Sequence, residues 1–333
     1  MMSDLGPSDE AQAQAQREAM SRPKLLGPLE VRELADRLGV TPTKKLGQNF
    51  VIDPNTVRKI VRLAGVQEGD RVVEIGPGLG SLTLGLTEAG ARVTAIEIDH
   101  RLAAELPATV AAMQPGAEAR LRVVRSDALD VTAAQLTAEP DEGELPADTV
   151  ASPDLVAERD AFSRLPSLLV ANLPYNVSVP ILMHLLELLP GLRSGLVMVQ
   201  AEVGNRIAAG PGSREYGAPS AKAAWYGSWS IAGTVSRRIF WPVPGVDSNL
   251  VAFARAENAL GTETERIATF ELVNAAFAGR RKMLRQSLQG ALGIPASADG
   301  ASEVLAAAGV DPTARAEQLA IADFLTIART LAA

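Results

Sequence analysis

Short apolar runs alternate with longer amphipathic segments through the middle of the chain. A strand that is buried on both faces of a parallel sheet is a nearly continuous apolar run, whereas helices place apolar residues three or four positions apart. The runs that predict strands are Arg71–Ile75, Arg92–Ile98, Leu121–Val124, Leu168–Ala171 and Gly195–Gln200. This alternation is typical of an α/β protein with a doubly wound parallel sheet.

The pattern before this region predicts two helices. Val31–Leu38 has apolar residues at helical spacing. Asp53 is a favourable cap for a second helix, which begins at Pro54 and ends before Gly65.

The pattern after the alternating region changes twice. Strand-like runs at Ser228–Thr234 and Leu250–Ala254 can extend the sheet. From about Glu263 the periodic segments are all helical. We therefore predict a disordered N-terminal extension (1–25), an α/β domain (26–256) and a small all-helical domain (257–333).

Composition excludes several kinds of chemistry. The 333 residues include no Cys and two His, His100 and His184, which excludes disulfides, thiolate nucleophiles and Cys-ligated zinc and leaves little for a metal site. No apolar run reaches the roughly 18 residues that span a membrane. The first 20 residues lack the basic start and apolar stretch of a signal peptide. We expect a cytoplasmic protein without a bound metal.

The formal charge of −7 is concentrated in one stretch of the chain. Residues 137–160 contain eight acidic residues and one arginine, so this stretch alone carries −7. Its prolines and lack of periodicity predict an acidic loop insertion. Residues 22–62 and 193–290 each carry +5. These basic regions allow a phosphate-binding face, although scattered Arg and Lys also solvate ordinary helices.

A glycine-rich turn follows the first predicted strand. Gly76, Gly78 and Gly80 come directly after Glu74-Ile75 and precede a helical segment. Glycines let the backbone approach a ligand closely, and N–H groups are free where a helix begins. NAD enzymes, flavoproteins and methyltransferases use related turns, and glycine can also serve packing alone. The Gly-x-Gly-x-Gly spacing and Glu74 favour a methyltransferase.

Acidic residues follow the next two strands. Glu97 ends the second strand, 21 residues after Gly76, where a carboxylate can accept both hydroxyl protons of a ribose. Asp127 follows the third strand and can either bind an adenine amine or cap a turn.

The segment Asn172-Leu173-Pro174-Tyr175 follows the fourth strand, at the edge where α/β enzymes hold their ligands. The exocyclic amine of adenine is a poor nucleophile because its lone pair is delocalised into the ring. The Asn172 amide oxygen and the Pro174 carbonyl could accept its two protons and direct the lone pair at a methylsulfonium. Tyr175 offers a stacking surface for an extruded base.

These motifs together resemble those of the ribosomal RNA adenine N6-dimethyltransferase family over about residues 44–288. Two further stretches share the resemblance: Phe240-x-Pro242-x-Pro244-x-Val246-Asp247-Ser248 and Phe277-x-x-Arg280-Arg281-Lys282-x-Leu284. The resemblance implies a Rossmann-like class I methyltransferase sheet with a small C-terminal all-helical domain. The methyl donor it implies is S-adenosyl-L-methionine.

The resemblance also assigns residues to the site. Those expected to contact S-adenosylmethionine are Asn49, Val51, Gly76, Gly78, Glu97, Asp127 and Asn172. Those expected around the target base are Asn172, Leu173, Pro174, Tyr175 and Phe240, with Phe240 facing Tyr175 across the base. A stiff Pro-rich loop suits Phe240 to stacking, although core packing is the ordinary role of such a residue.

The implied reaction is dimethylation of N6 on two adjacent adenosines, in the hairpin loop near the 3′ end of 16S rRNA. It would act on the small ribosomal subunit, late in its biogenesis, as a monomer without a membrane partner. Arg280, Arg281, Lys282 and Arg285 form a basic cluster that fits contact with RNA phosphates, or else a solvated helix face. Two alternatives remain: a large-subunit methyltransferase of the macrolide-resistance type, and an assembly factor that acts mainly by binding.

Overall fold

The computed structural model describes residues 24–41, 49–137, 165–279 and 281–333. Its strands are β1 Phe50–Val51, β2 Arg71–Ile75, β3 Arg92–Glu97, β4 Leu121–Arg125, β5 Leu168–Asn172, β6 Ser194–Gln200, β7 Gly227–Val235, β8 Phe240–Trp241 and β9 Ser248–Arg255. The first seven helices are α1 Pro28–Arg37, α2 Pro54–Leu63, α3 Ser81–Glu88, α4 His100–Met113, α5 Ala133–Thr137, α6 Ser178–Leu188 and α7 Ala201–Ile207. The remaining helices are α8 Ala218–Tyr226, α9 Glu263–Ala278, α10 Leu284–Ser287, α11 Ala298–Ala307 and α12 Ile321–Ala332.

Three of the predicted features fall wholly or mainly outside the described residues. They are the N-terminal extension 1–25, the acidic insertion 137–160 and Arg280. Two residues of the expected extension belong to the folded domain. Leu25 is buried, and the Lys24 N–H donates to the Met113 carbonyl at 3.3 Å.

Seven strands form one sheet in the order β4-β3-β2-β5-β6-β9-β7. The five predicted strands of the alternating region pair in parallel, and their bounds agree with the prediction within one residue. The two later runs also form strands, β7 and β9, and β9 is antiparallel to both of its neighbours. The expected α/β class is therefore confirmed.

Helices cover both faces of the sheet. Successive side chains of a strand point to opposite faces, so Val72 and Val73 belong to different hydrophobic clusters. The cluster of Val72 packs against α2, α3 and α4. The cluster of Val73 continues through α6 and α8 into α9 and α12. The helical region thus shares a core with the sheet, and the domain boundary at 256/257 stays a prediction.

The strand order reverses at β2. From β2 the chain extends the sheet through β3 and β4 in one direction, and β5 and β6 extend it in the other. At such a point the helices that follow the two central strands lie on opposite faces and leave a crevice at the carboxyl edge. Both the glycine-rich turn after β2 and Asn172 at the end of β5 lie at this crevice.

No helix in the described ranges has the length and apolar character needed to cross a membrane.

Arg255 fixes the antiparallel end of the sheet to helix α6. Its guanidinium donates to the carbonyls of Leu192 (2.6 Å), Leu186 (2.9 Å) and Leu189 (3.1 Å). These carbonyls lie at the end of α6 and in the turn after it, where the helix supplies no further N–H donors.

We expect Arg255→Ala to lower the free energy of unfolding by about 3 kcal/mol, because buried carbonyls lose their charged donor. Urea denaturation measures the change. The matched control is Arg193→Ala, which removes an exposed arginine 3.6 Å from Asp70 and should cost under about 1 kcal/mol. Equal losses in the two variants would contradict this account.

Candidate active site

A cavity of about 200 Å³ opens at the carboxyl edge of the sheet, where the strand order reverses. The seven residues expected to contact S-adenosylmethionine all line it: Asn49, Val51, Gly76, Gly78, Glu97, Asp127 and Asn172. These residues come from five separate segments of the chain. Four of the segments end or follow strands of the parallel sheet, and the fifth, with Asn49 and Val51, contains the short strand β1 that pairs with β8.

The glycine-rich turn forms one wall of the cavity. Gly76 and Gly78 have φ of +61° and +59°, a conformation that favours glycine. A Cβ on Gly78 would lie 2.9 Å from the Phe50 ring, whereas a Cβ on Gly76 would meet no protein atom within 4 Å. Gly78 is therefore required for packing, and Gly76 leaves open space that a ligand can fill.

Glu97 ends β3 with its carboxylate held by two backbone groups. Oε2 accepts from the Gly78 N–H at 3.1 Å, and Oε1 accepts from the Asp99 N–H at 3.0 Å. Each oxygen can accept one more hydrogen bond, so the pair can receive two hydroxyl groups. Burial raises the pKa of Glu97, while the two N–H donors oppose this shift.

Glu74 lies beside Glu97 on the cavity wall and is 1% exposed. The Thr83 hydroxyl donates to Glu74 Oε2 at 2.7 Å. Burial raises the pKa of the Glu74 carboxyl to about 8; the Thr83 hydrogen bond opposes the shift and the Glu97 charge adds to it. The wall therefore holds a carboxyl that becomes an anion most readily when a cation binds beside it.

Two further residues of the cavity lining, Asp127 and Ile98, are polar and apolar respectively. Asp127 Oδ1 accepts from the Leu129 N–H at 2.9 Å, so Asp127 shapes its turn as well as lining the cavity. Ile98 also lines the cavity and is 58% exposed. Sequence reasoning did not single out Ile98 as a site residue. No signal in the sequence marks it, because an apolar residue at the end of a predicted strand is typical of the core.

Asn172 is oriented by a residue 123 positions away. Its Nδ2 donates to the Asn49 backbone carbonyl at 3.1 Å. Its Oδ1 is buried and has no hydrogen-bond partner among the described residues. Leaving a buried acceptor unpaired costs free energy, so this oxygen is suited to accept a hydrogen bond from a ligand.

The other three residues of the Asn-Leu-Pro-Tyr segment have different surroundings. Pro174 lines the cavity. The Leu173 side chain is buried in the core, and its N–H donates to the Met198 carbonyl at 3.0 Å, so Leu173 holds the segment in place rather than contacting a ligand. Tyr175 is outside the cavity lining, and its hydroxyl oxygen lies 2.8 Å from Ser248 Oγ. Burial raises the pKa of Tyr175.

Phe240 does not form an open stacking surface in the structure. It lies in β8, which pairs with β1 opposite Val51, and its side chain is completely buried in the hydrophobic cluster that contains Val51. The expected face-to-face arrangement with Tyr175 is therefore not formed here. The resemblance placed Phe240 at the target base, whereas the pairing of two short strands packs it into the core. A stacking role would require this side chain to move.

The basic cluster is separate from the cavity. Arg281 and Lys282 are exposed between α9 and α10, and Arg285 is half-buried in α10. None of the three lines the cavity. Their contact with RNA stays a prediction.

The described residues contain no group of three His, Asp or Glu side chains that could hold a metal ion. His184 Nε2 lies 2.8 Å from the Val131 carbonyl oxygen, and His100 is exposed.

The raised pKa of Glu74 predicts a specific pH dependence of stability. The folded state holds this proton more tightly than an unfolded carboxyl with a pKa of 4.5, so the contribution is complete below pH 4.5 and is lost as the pH rises through about 8. The wild type should therefore lose about 4 kcal/mol of unfolding free energy between pH 5 and 8.5 through this group, and Glu74→Gln should not show that loss. Urea denaturation across this range measures it.

The control for this experiment is Glu68→Gln, which changes an exposed carboxyl and should leave the pH profile of the wild type unaltered. Parallel profiles for the wild type and Glu74→Gln would show that Glu74 is ionised in the folded state across this range.

Comparison with known proteins agrees with this geometry. The family model for ribosomal RNA adenine dimethylase matches residues 40–333. The chain is 61% identical over 309 residues to ribosomal RNA small subunit methyltransferase A of Leifsonia xyli, covering 93% of this chain and 99% of that protein. It is 52% identical to the protein of the same name from Streptomyces coelicolor, covering 91% and 96%. A dimethyladenosine transferase structure from Plasmodium falciparum has a TM-score of 0.63 at 22% identity, covering 84% and 95%, and shows the shared fold. The chain therefore belongs to the ribosomal RNA adenine dimethylase family.

Proposed function

We propose that this protein transfers methyl groups from S-adenosylmethionine to N6 of adenosines in small-subunit ribosomal RNA. The unpartnered Oδ1 of Asn172, fixed at the carboxyl edge beside the glycine-rich turn, is the observation that carries the proposal. Family membership and the names of the relatives support both the chemistry and the RNA.

The cavity residues fit S-adenosylmethionine, which supplies an electrophilic methyl group on a sulfonium. Glu97 has acceptor capacity for the two ribose hydroxyls, and the space at Gly76 admits a ligand close to the backbone. Asp127 can accept from the adenine amine of the donor. Glu74 and Glu97 are carboxyl groups on the cavity wall that can carry negative charge beside the cationic sulfonium and ammonium of the ligand, and binding of a cation favours ionisation of Glu74.

The acceptor side depends on Asn172 and Pro174. Asn172 Oδ1 and the Pro174 carbonyl each accept a hydrogen bond from the target amine. These two hydrogen bonds draw the lone pair of the amine away from the ring. Since Nδ2 is held by the Asn49 carbonyl, the amide cannot rotate without losing that hydrogen bond. Rate acceleration then comes from orientation and from preorganised polar groups.

No general base is needed on the protein. After transfer the target nitrogen is cationic and releases its proton to solvent. The same site then acts on the monomethylated amine, and we extend the proposal to two adjacent adenosines in the hairpin loop near the 3′ end of 16S rRNA.

The large-subunit alternative is not favoured, because the relatives at 52–61% identity are named for the small subunit. The assembly-factor alternative assigns no task to the buried acceptor or to the seven residues that line the cavity. Arg281, Lys282 and Arg285 belong to the proposal as phosphate contacts of the helical region.

The direct test is transfer from labelled methyl donor to purified unmethylated subunits. We expect label in the RNA of the small subunit, as N6,N6-dimethyladenosine after nuclease digestion and chromatography. Label confined to large-subunit RNA, or to protein, would contradict the proposed substrate.

Asn172→Ala should lower kcat about 100- to 1,000-fold, because it removes an acceptor that acts on the reacting amine. Donor binding, measured by calorimetry, should weaken far less. Asn258→Ala makes the same change at an exposed position and should retain wild-type rates. If Asn172→Ala methylates normally, Asn172 does not activate the amine.

A further inference from the structure

The segment between β7 and β9 carries four exposed residues that the proposed reaction does not use. Arg237 and Arg238 lie in a 3₁₀ turn before β8, and Val243 and Val246 follow β8. These four residues are called the arginine–valine loop below.

The start of the loop is bonded to the segment that orients Asn172. The Ile52 N–H donates to the Ile239 carbonyl at 2.8 Å, directly after the pairing of β1 with β8. Asn49, whose carbonyl holds the Asn172 amide, immediately precedes β1. The loop is therefore joined, through β8 and β1, to the residue that orients Asn172.

The end of the loop is bonded to Tyr175. Ser248 Oγ lies 2.8 Å from the Tyr175 hydroxyl oxygen, and Asp247 Oδ1 accepts from the Arg237 backbone N–H at 2.8 Å. Two adjacent residues, Asp247 and Ser248, thus connect the arginines to Tyr175.

The arginines keep their charge available. Arg237 donates to the Gly245 carbonyl at 3.1 Å, which leaves the guanidinium charge uncompensated by an ion pair. The Arg238 side chain has neither an ion pair nor a hydrogen bond within the described ranges of the chain. Arginines such as Arg37 and Arg58 are instead paired with glutamates. Asp247 is the carboxylate nearest in sequence, and one of its oxygens is engaged by the turn.

The valines are exposed in the same loop. Val243 is 60% and Val246 is 47% exposed. A single exposed apolar residue is ordinary, but these two are three positions apart in a segment stiffened by Pro242 and Pro244. Guanidinium groups without an ion pair, in the same loop as exposed apolar side chains, match an unpaired RNA strand, which offers phosphates together with unstacked bases.

We propose that the arginine–valine loop binds the RNA strand next to the target adenosine. Arg238 contacts a backbone phosphate, and Val243 and Val246 pack against the neighbouring nucleotide. This contact adds to the affinity of the protein for the RNA. The inference rests on the RNA substrate of the proposed function, but it concerns a surface outside the cavity.

The first test compares Arg238→Gln with Arg92→Gln. Arg92 is the first residue of β3, so it lies at the amino ends of the parallel strands, opposite the cavity. Its side chain has no partner among the described residues. Arg238→Gln should raise the KM for small subunits about 5-fold and lower the salt slope of binding by about one, since it removes one phosphate contact. The kcat value and the affinity for the methyl donor should not change. Equal behaviour of the two variants would overturn the proposal.

The second test identifies the partner. The variant Val243→p-benzoylphenylalanine is bound to small subunits and irradiated. The control is Leu63→p-benzoylphenylalanine, since Leu63 is also an exposed apolar residue. We expect crosslinks from position 243 to nucleotides beside an adenosine that the enzyme methylates. Crosslinks to a ribosomal protein alone, or none above the control, would overturn the proposal.

The two proposals fail in different ways. RNA crosslinks and a reduced salt slope without any methyl transfer would support the loop and contradict the proposed reaction. Methyl transfer with no effect at Arg238 and no RNA crosslink at position 243 would support the reaction and contradict the loop.

Discussion

The parallel pairing of β2 with both β3 and β5 is the constraint on which the site depends. Because the sheet grows in both directions from β2, α3 packs on one face and α6 on the other. The two helices separate at the carboxyl edge, and the residues that end the central strands meet in the gap. The glycine-rich turn, Glu97 and Asn172 are far apart in sequence and become neighbours for this reason alone.

Much of this arrangement could be predicted from the sequence. Strands buried on both faces are continuous apolar runs, which explains the agreement within one residue, and strand ends mark Glu97 and Asn172 as site residues. The position of Phe240 was not predicted correctly, because it was expected at the target base and is buried in the core. It depends on β1 and β8, which have two residues each and no periodicity to detect. The orientation of Asn172 depends on a backbone carbonyl of Asn49, and no residue type signals such a contact.

The charge of the chain illustrates why totals mislead. The formal charge of −7 equals that of residues 137–160, so the rest of the chain is neutral. Within that remainder, arginines such as Arg37, Arg58 and Arg266 are paired with glutamates, whereas Arg238 and Arg281 are exposed without such a pair in the described ranges. The binding of a polyanion depends on the number and position of the unpaired cationic side chains rather than on the net charge of the chain.

The hydrogen bond from Asn172 to the Asn49 carbonyl has a consequence for base discrimination. In the proposed reaction the Asn172 amide presents its Oδ1 to the incoming base, because its Nδ2 faces the Asn49 carbonyl. Adenine offers an amine there, whereas guanine and uracil would bring a carbonyl oxygen against the amide oxygen, leaving two acceptors without a proton between them. Such a mismatch costs about 1–3 kcal/mol in a buried site. One backbone contact, which fixes the direction of a side-chain amide, would thereby disfavour two of the four nucleotides.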